Sequence, residues 1–187
     1  MKQIAAVFLS LVLLTGCTGK RDELDRAMKL RANLLGCLGC SSFDVTVTAD
    51  YGDSYYTFVM NCQATGRGDL QFTVLQPESI AGITGNISSG EGKLTFDDVA
   101  LQFPLLADGQ ITPISGPWIL MKTLLGGYLT AVSEEEDLLH LTINDSYEED
   151  ALQMEIWLNE ENAPVCAEIL YDGRRIVTMK IEDFQIL

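Results

Sequence analysis

FDVTVTADYGDSYYTFVMNC, residues 43–62, alternates apolar and polar side chains on either side of a turn at Gly52-Asp53. A period of two places every second side chain on the same face of a β-strand. Two such runs joined by a short polar turn predict an antiparallel hairpin with one buried face. This hairpin sets the pattern for most of the chain.

The alternating pattern continues after this hairpin. Strands are predicted over residues 70–74, 80–87, 94–96 and 99–103, and again over 138–144, 151–159, 165–171 and from 174 to the C-terminus. Polar turns join them, and Asp172-Gly173 is a strong hairpin signal. A loop with Pro104 and Pro113 separates the two groups of strands. Because no repeat or linker interrupts the mature chain, we expect one domain.

Two helices are predicted to cover the apolar face of the sheet. Residues 22–39, with Asp22 at the N-cap, carry apolar residues at helical spacing. These are Leu24, Ala27, Met28, Leu30, Leu34, Leu35 and Leu38, with Arg31 in the same stripe. Residues 118–132 follow Pro117, which suits a first helical turn, and are apolar on nearly every side. A helix without a polar face must be covered or must line a cavity. The sequence therefore predicts an α+β domain with an antiparallel sheet beneath two helices.

The N-terminus carries a secretion pattern. Lys2 precedes the apolar run 4–14, which is too short to span a bilayer, and Leu14-Thr15-Gly16-Cys17 follows. This resembles the bacterial lipobox, which implies cleavage before Cys17 and a diacylglyceryl group on its thiol. We therefore expect residues 1–16 to be a signal peptide. Residues 17–187 would form one lipid-anchored domain on the extracytoplasmic face of the cell membrane. An ordinary cleaved signal with a chance cysteine is the alternative.

The charge distribution excludes one class of partner. The 187 residues carry a net charge of −15, while five of the twelve Lys and Arg residues fall within residues 20–31. An acidic surface repels nucleic acid, so we exclude nucleic-acid binding. The basic segment beside Cys17 could lie against anionic headgroups. The acids would repel those headgroups, or would simply keep the protein soluble.

The residues with catalytic side chains form no recognisable catalytic set. His140 is the only histidine and falls between two leucines, so we expect it on the solvated face of its strand. Acidic runs at 134–137 and 148–150 lack the spacing of a calcium loop and are interpreted as solvated turns. Trp157 points away from its apolar neighbours, either under a loop or helix or into a partner-binding patch. We therefore predict no enzyme, no metal and no cofactor besides the lipid on Cys17.

Four cysteines follow Cys17 and allow three disulfide connectivities: Cys37, Cys40, Cys62 and Cys166. An even number outside the cytoplasm favours disulfides. Cys37 and Cys40 form a C-x-x-C motif at the end of the first predicted helix. Redox motifs start a helix, where the dipole lowers the thiol pKa, so redox catalysis is disfavoured, as is a zinc site. Two alternatives stay open: a bridge from the helix end to the sheet, and free thiols with Cys62 as a small buried hydrophobe.

The order of elements resembles the LolA-like fold, a family that includes lipoprotein carriers, envelope-stress sensors and clostridial spore-germination lipoproteins. Three stretches support the resemblance and look most like anaerobic Gram-positive lipoproteins: VLQPESIAGI at 74–83, GKLTFDD at 92–98 and AEILYDGRRI at 167–176. The resemblance implies a strongly curved, unclosed antiparallel half-barrel whose concave face is covered by the two helices. A generic helix-plus-sheet domain is the alternative.

Two functions follow as hypotheses. In the first, the half-barrel of a non-enzymatic lipoprotein binds a lipid or acyl chain in a pocket lined by apolar side chains. The candidate lining residues are Phe58, Phe72, Phe96, Trp118, Leu120, Leu124 and Tyr128. In the second, implied by the germination lipoproteins, the domain stabilises or localises an envelope or spore cell-wall enzyme. A filled interior would favour the second hypothesis, since such an interior binds no ligand.

Overall fold

The computed structural model describes residues 18–36, 40–89, 91–96, 99–103, 106–107, 110–148 and 151–187. The N-terminal helix α1 (Thr18–Gly36) precedes eight strands: β1 (Cys40–Asp50), β2 (Tyr55–Thr65), β3 (Leu70–Gln76), β4 (Thr84–Ser88), β5 (Glu91–Phe96), β6 (Val99–Phe103), β7 (Leu106–Ala107) and β8 (Gln110–Ile111). A short 3₁₀ turn (Pro113–Ser115) leads into α2 (Gly116–Gly126), which is followed by β9 (Tyr128–Glu135), β10 (Leu138–Asn144), β11 (Gln153–Leu158), β12 (Pro164–Tyr171) and β13 (Arg174–Ile186).

Eleven of these strands form one antiparallel sheet in the order β6-β5-β4-β3-β2-β1-β13-β12-β11-β10-β9. The C-terminal strand β13 pairs with β1, and this pairing joins the two meanders into one sheet. Strands β6 and β9 are the two edges and do not pair with each other, so the sheet is an unclosed half-barrel. The predicted α+β class and antiparallel architecture are confirmed.

The hydrophobic core lies between one face of the sheet and the two helices. Every second residue of β1 is buried, from Phe43 to Ala49, and β10 and β11 alternate in the same way. The helix α2 places Leu120, Met121 and Leu124 against this face, each almost completely buried. Burying one such side chain is worth roughly 1.5–3 kcal/mol, so this layer dominates the stability of the domain.

The helix α1 differs from the prediction in its bounds and in its buried face. It begins at Thr18, so Asp22 lies inside the helix and is not its N-cap. Ala27, Leu30 and Leu34 are buried, whereas the other predicted stripe residues that the structure describes, Leu24, Met28 and Leu35, are exposed. The prediction was wrong about these residues because two adjacent rows of the helix are apolar and only one row contacts the core.

Two arginines fasten α1 to the rest of the domain. The Nε atom of Arg31 donates a hydrogen bond to the carbonyl oxygen of Leu124 at 2.7 Å, at the end of α2 where carbonyls lack helical partners. Burial lowers the pKa of Arg31. The guanidinium of Arg26 donates to Asn162 Oδ1 at 2.8 Å and to the carbonyl oxygen of Asn159 at 3.1 Å. Arg26 and Arg31, two residues of the basic segment 20–31, therefore hold α1 against the rest of the domain.

The second helix is shorter than predicted, because residues 128–132 belong to strand β9. The helix ends at Gly126, and Gly127 packs so closely that an added Cβ would lie 2.6 Å from Ile143 Cγ2 and 2.8 Å from the Thr123 carbonyl oxygen. In the acidic run 134–137, Glu134 and Glu135 end β9, and Glu136 and Asp137, both with positive φ angles, form the β9–β10 turn. The loop predicted from 104 to 116 contains the short strands β7 and β8.

Candidate functional site

The seven predicted pocket residues do not form one open site. Phe58, Phe72, Leu120 and Leu124 come together as members of the buried core. The side chain of Phe96 lies outside the described part of the structure, although its backbone belongs to β5.

The other two predicted pocket residues are only partly buried or exposed. Trp118 is half-buried, and its Nε1 atom donates to the carbonyl oxygen of Gly68 at 2.8 Å. Tyr128 is exposed at the start of β9, with its ring centroid 3.6 Å from that of Tyr147. Neither side chain therefore lines a cavity beneath α2.

Two internal spaces under the helices show how tightly this region is packed. One, between α1, α2 and strands β9 and β10, encloses about 10 Å³ and includes Leu30, Leu124 and Ile143 in its lining. The other, beside Leu34 and Met121, also encloses about 10 Å³. Such a volume is about that of one water position, whereas ligand pockets span roughly 300–1,000 Å³. Among the described residues, the layer beneath α2 is therefore filled. A larger space of about 280 Å³ lies beside α1, with Leu30, Asn33, Phe184 and Ile186 in its lining.

The start of α2 shows why so little space is left. Gly116, its first residue, packs against the sheet, and an added Cβ would be in van der Waals contact, 3.4 Å from both Met179 Sδ and Val177 Cγ1. The following residues Leu120 and Met121 then fill the sheet face directly beneath them. An acyl chain could enter only if α2 moved away.

The outer face of the sheet carries a groove that the sequence analysis missed. It encloses about 490 Å³ over strands β2 to β5. Its polar lining residues are Asn61, Gln63, Gln71, Thr73, Thr84, Asn86, Lys93 and Thr95, with the sheet at Phe72 and Gly85 as the floor. Strand register aligns Gln63, Gln71, Asn86 and Lys93 in one cross-strand row. The groove can offer hydrogen bonds to polar ligands. The sequence pattern that could have indicated this groove is the run of amide and threonine side chains at the outward-facing positions of these strands.

His140 lies in a polar cluster on the outer face of β9, β10 and β11. Its Nε2 atom is 2.6 Å from Glu155 Oε2, and its Nδ1 atom is 3.4 Å from Glu135 Oε2. The imidazole stacks on Trp157 at a centroid distance of 4.5 Å, and the Trp157 indole donates to Glu135 at 2.9 Å. The histidine is on the predicted face but is half-buried rather than freely solvated.

Both ring nitrogens of His140 lie near carboxylates, and the cluster joins the edge strand β9 to β10 and β11. Trp157 packs on His140, which was neither of the two predicted positions. Among the residues described, no group of three or more His, Cys, Asp or Glu side chains could hold a metal ion.

The described cysteine side chains are free thiols. Cys62 is buried, and burial raises its pKa, with a further contribution from the charge of Asp44. Burial also raises the pKa of the half-buried Cys166, as does the charge of Glu168. A raised pKa lowers the thiolate fraction, so both thiols are poor nucleophiles. In the structure these two residues therefore have the state described by the free-thiol alternative.

The remaining predictions about the N-terminal part concern residues outside the described ones. Cys17 and Cys37 are among them, as is the side chain of Cys40, whose backbone begins β1. Lipidation at Cys17 and any pairing of Cys37 stay predictions. Within the described part of the chain, neither helix has the length and apolar character needed to cross a membrane.

No family model and no curated protein sequence matches this chain. Solved structures do resemble it. One is a LolA superfamily protein from Nitrosomonas europaea, with 8% identity, a TM-score of 0.43 and coverage of 86% of this chain and 93% of the other. Another is an outer membrane lipoprotein-sorting domain from Vibrio parahaemolyticus, with 10% identity, a TM-score of 0.48 and coverage of 89% and 94%.

A third is the complex of the CwlD amidase with the GerS lipoprotein from Clostridioides difficile, at 14% identity, a TM-score of 0.42 and coverage of 86% and 94%. The structural neighbours thus include the LolA-like and lipoprotein groups named by the sequence resemblance. At these identities and TM-scores, the likeness carries no information on ligand or partner.

Proposed function

We propose that this protein is a membrane-anchored, extracytoplasmic lipoprotein that works by binding another protein of the cell envelope and is not an enzyme. The observation that supports this function over lipid transport is the tight packing beneath α2, where the two spaces that border the helix enclose only about 10 Å³ each. The partner-binding surface must then lie on the outside of the domain.

The energetics of opening argue against a lipid carrier. Before an acyl chain could enter, α2 would have to move away, and the opened form would expose Leu120, Met121 and Leu124 to water at a cost of roughly 1.5–3 kcal/mol for each side chain. Moving α2 would also break the hydrogen bond from Arg31 to Leu124. A chain that leaves a bilayer gains no compensating hydrophobic energy, because it is already in an apolar environment. The closed form is therefore favoured even when lipid is present.

The lipid anchor would determine where a bound partner protein is located. Acyl chains contribute about 0.8 kcal/mol per buried methylene, so two chains on Cys17 hold the domain at the membrane essentially permanently. A partner that binds the domain is held at the same membrane. As the resemblance to germination lipoproteins implies, we propose an envelope or spore cell-wall enzyme as that partner.

Covalent cross-linking of intact host cells followed by purification of the tagged lipoprotein tests the proposal. The matched control carries residues 1–17 fused to an unrelated domain, so that it shares the anchor and nothing else. We expect one envelope protein in constant ratio with the lipoprotein and absent from the control. Recovery of the same proteins by both, or of none by either, contradicts the proposed function.

A further inference from the structure

All six tyrosines of the chain lie at one end of the sheet strands. Tyr51, Tyr55 and Tyr56 flank the β1–β2 turn, Tyr171 ends β12, Tyr128 begins β9, and Tyr147 lies between β10 and β11. We call this group the tyrosine rim. Nothing in the local sequence places these residues together, because they come from four different segments of the chain.

The strand register shows that these positions share one end. Asp50 pairs with Tyr55, and β13 begins beside them, since Ala49 pairs with Val177. Tyr171 then pairs with Arg174. Further along the sheet, Gln153 pairs with Leu170 and with Asn144, and Asn144 pairs in turn with Tyr128. The helix α1 contacts the opposite end, where Arg26 binds the β11–β12 turn.

Five of the six rings are available at the surface. Tyr55 is 69% exposed and Tyr147 is 83% exposed, and Tyr56, Tyr128 and Tyr171 also belong to the exposed large side chains. In the part of the chain that the structure describes, the hydroxyls of these five tyrosines make no hydrogen bond.

Tyr51 differs from the other five. It donates to the carbonyl oxygen of Ile111, and burial, with a smaller contribution from Tyr56, raises its pKa to about 12. Tyr51 is therefore held against the fold, and the other five tyrosines form the exposed surface of the rim.

The charges beside the rings indicate what they would bind. The turns at 50–56, 145–148 and 171–175 contain five acids and two bases: Asp50, Asp53, Asp145, Glu148 and Asp172 against Arg174 and Arg175. Arg175 is already paired with Glu168 at 2.8 Å. Tyrosine faces attract guanidinium and ammonium groups, and the surrounding carboxylates add to this attraction. The same carboxylates repel an anionic membrane surface.

The extent of the rim suits a protein partner. Six inter-strand spacings of about 4.8 Å separate β2 from β9, so the rings extend about 29 Å along the sheet. A standard interface covers about 800 Å² on each partner, and tyrosine is enriched among the residues that contribute most of its binding energy. Tyrosines on turns at one end of a β-sheet also supply the contact surface of antibodies.

Resting on the proposed function, we infer that the tyrosine rim is the docking surface and that the partner is a protein presenting arginine and lysine side chains to it. The exposed rings provide the contact area. The acidic turns select a basic partner and accelerate its association at low salt.

Site-specific photo-cross-linking in host cells tests this inference. Benzoylphenylalanine replaces Tyr55 or Tyr147 at the rim, or in control variants Gln185, near the end of β13, or Glu160, in the β11–β12 turn. All four side chains are exposed, so the replacements leave the core intact. We expect the two rim positions to capture the same protein through a segment rich in arginine or lysine, with at least tenfold less product from the control positions.

The possible outcomes are distinct. Capture from the control positions alone, or equally from all four, contradicts the inference that the rim is the docking surface. It leaves the proposed protein-binding function in place. Capture of lipid at the rim, or of a protein segment without basic residues, overturns the partner chemistry. No protein product from any position counts against the proposed function itself. With the captured partner purified, Tyr55→Ala and Tyr147→Ala should each weaken binding about tenfold, and Gln185→Ala less than about twofold.

Discussion

Leu120→Ala is expected to lower the free energy of unfolding by about 3–5 kcal/mol, in the upper part of the range for buried leucines. Leu120 is completely buried on α2, between the helix and the sheet. Its neighbourhood includes the close contact of Gly116 with β13, so the surrounding structure has little freedom to collapse into a cavity. The cost therefore combines lost burial with an unfilled cavity.

The matched control for this variant is Leu35→Ala on α1. Leu35 is 56% exposed and sits at a helical position, so the same chemical change removes little buried surface. We expect a loss of no more than about 0.5 kcal/mol. Urea unfolding of both variants followed by tryptophan fluorescence measures the difference. A similar small loss for the two leucines would mean that the layer beneath α2 is loosely packed, contrary to the structure.

Cys17→Ala is expected to move the protein from the membrane fraction almost entirely to the soluble fraction and to abolish fatty-acid labelling. The reason is that Cys17 is the predicted lipid attachment site, and no helix in the described part of the chain can span a bilayer. A single acyl chain holds a protein only marginally, while the segment 20–31 adds about 1 kcal/mol for each cation near the surface. Without acyl chains, this charge attraction alone holds the protein weakly.

The control for the anchor is Cys37→Ala, the same substitution at the next cysteine in the chain. This variant should keep both its membrane location and its labelling. Cell fractionation with an alkynyl fatty acid as the label measures both properties. If the Cys17 variant stays labelled and sediments with membranes, the lipobox interpretation is wrong.

The sheet could be predicted well from local pattern alone. Residues 138–144 were predicted as a strand and form β10 with those bounds, because Leu139, Leu141 and Ile143 alternate with polar positions. Alternation is a property of neighbouring residues, so a single sequence carries it. The hairpin at 43–62 was found for the same reason, and β1 and β2 pair around Gly52-Asp53.

The errors arose where distant contacts decide the structure. Residues 128–132 are apolar enough to continue a helix, yet β9 forms because β10 offers a paired edge. In α1, two apolar rows compete, and only packing against the sheet selects Ala27, Leu30 and Leu34 over the row that contains Leu35. In both cases local propensity was overridden by tertiary context.

The candidate site was harder to predict from the sequence than the fold. Phe58, Phe72, Leu120 and Leu124 were correctly expected to share the covered face, but the volume between them depends on how side chains interlock. The tyrosine rim was missed because its residues meet only through the register of seven strands, from β2 across to β9. The spacing of the tyrosines along the chain does not predict that they lie at one end of the sheet.

The filled interior can be tested most directly by native mass spectrometry of the mature domain, released from its anchor and incubated with phospholipid vesicles and free fatty acid. The account predicts the mass of the bare polypeptide at every lipid concentration, because the two spaces that border α2 enclose only about 10 Å³ each. A stoichiometric phospholipid or fatty-acid adduct that survives transfer to the gas phase would contradict this prediction. It would support the hypothesis that the half-barrel binds lipid.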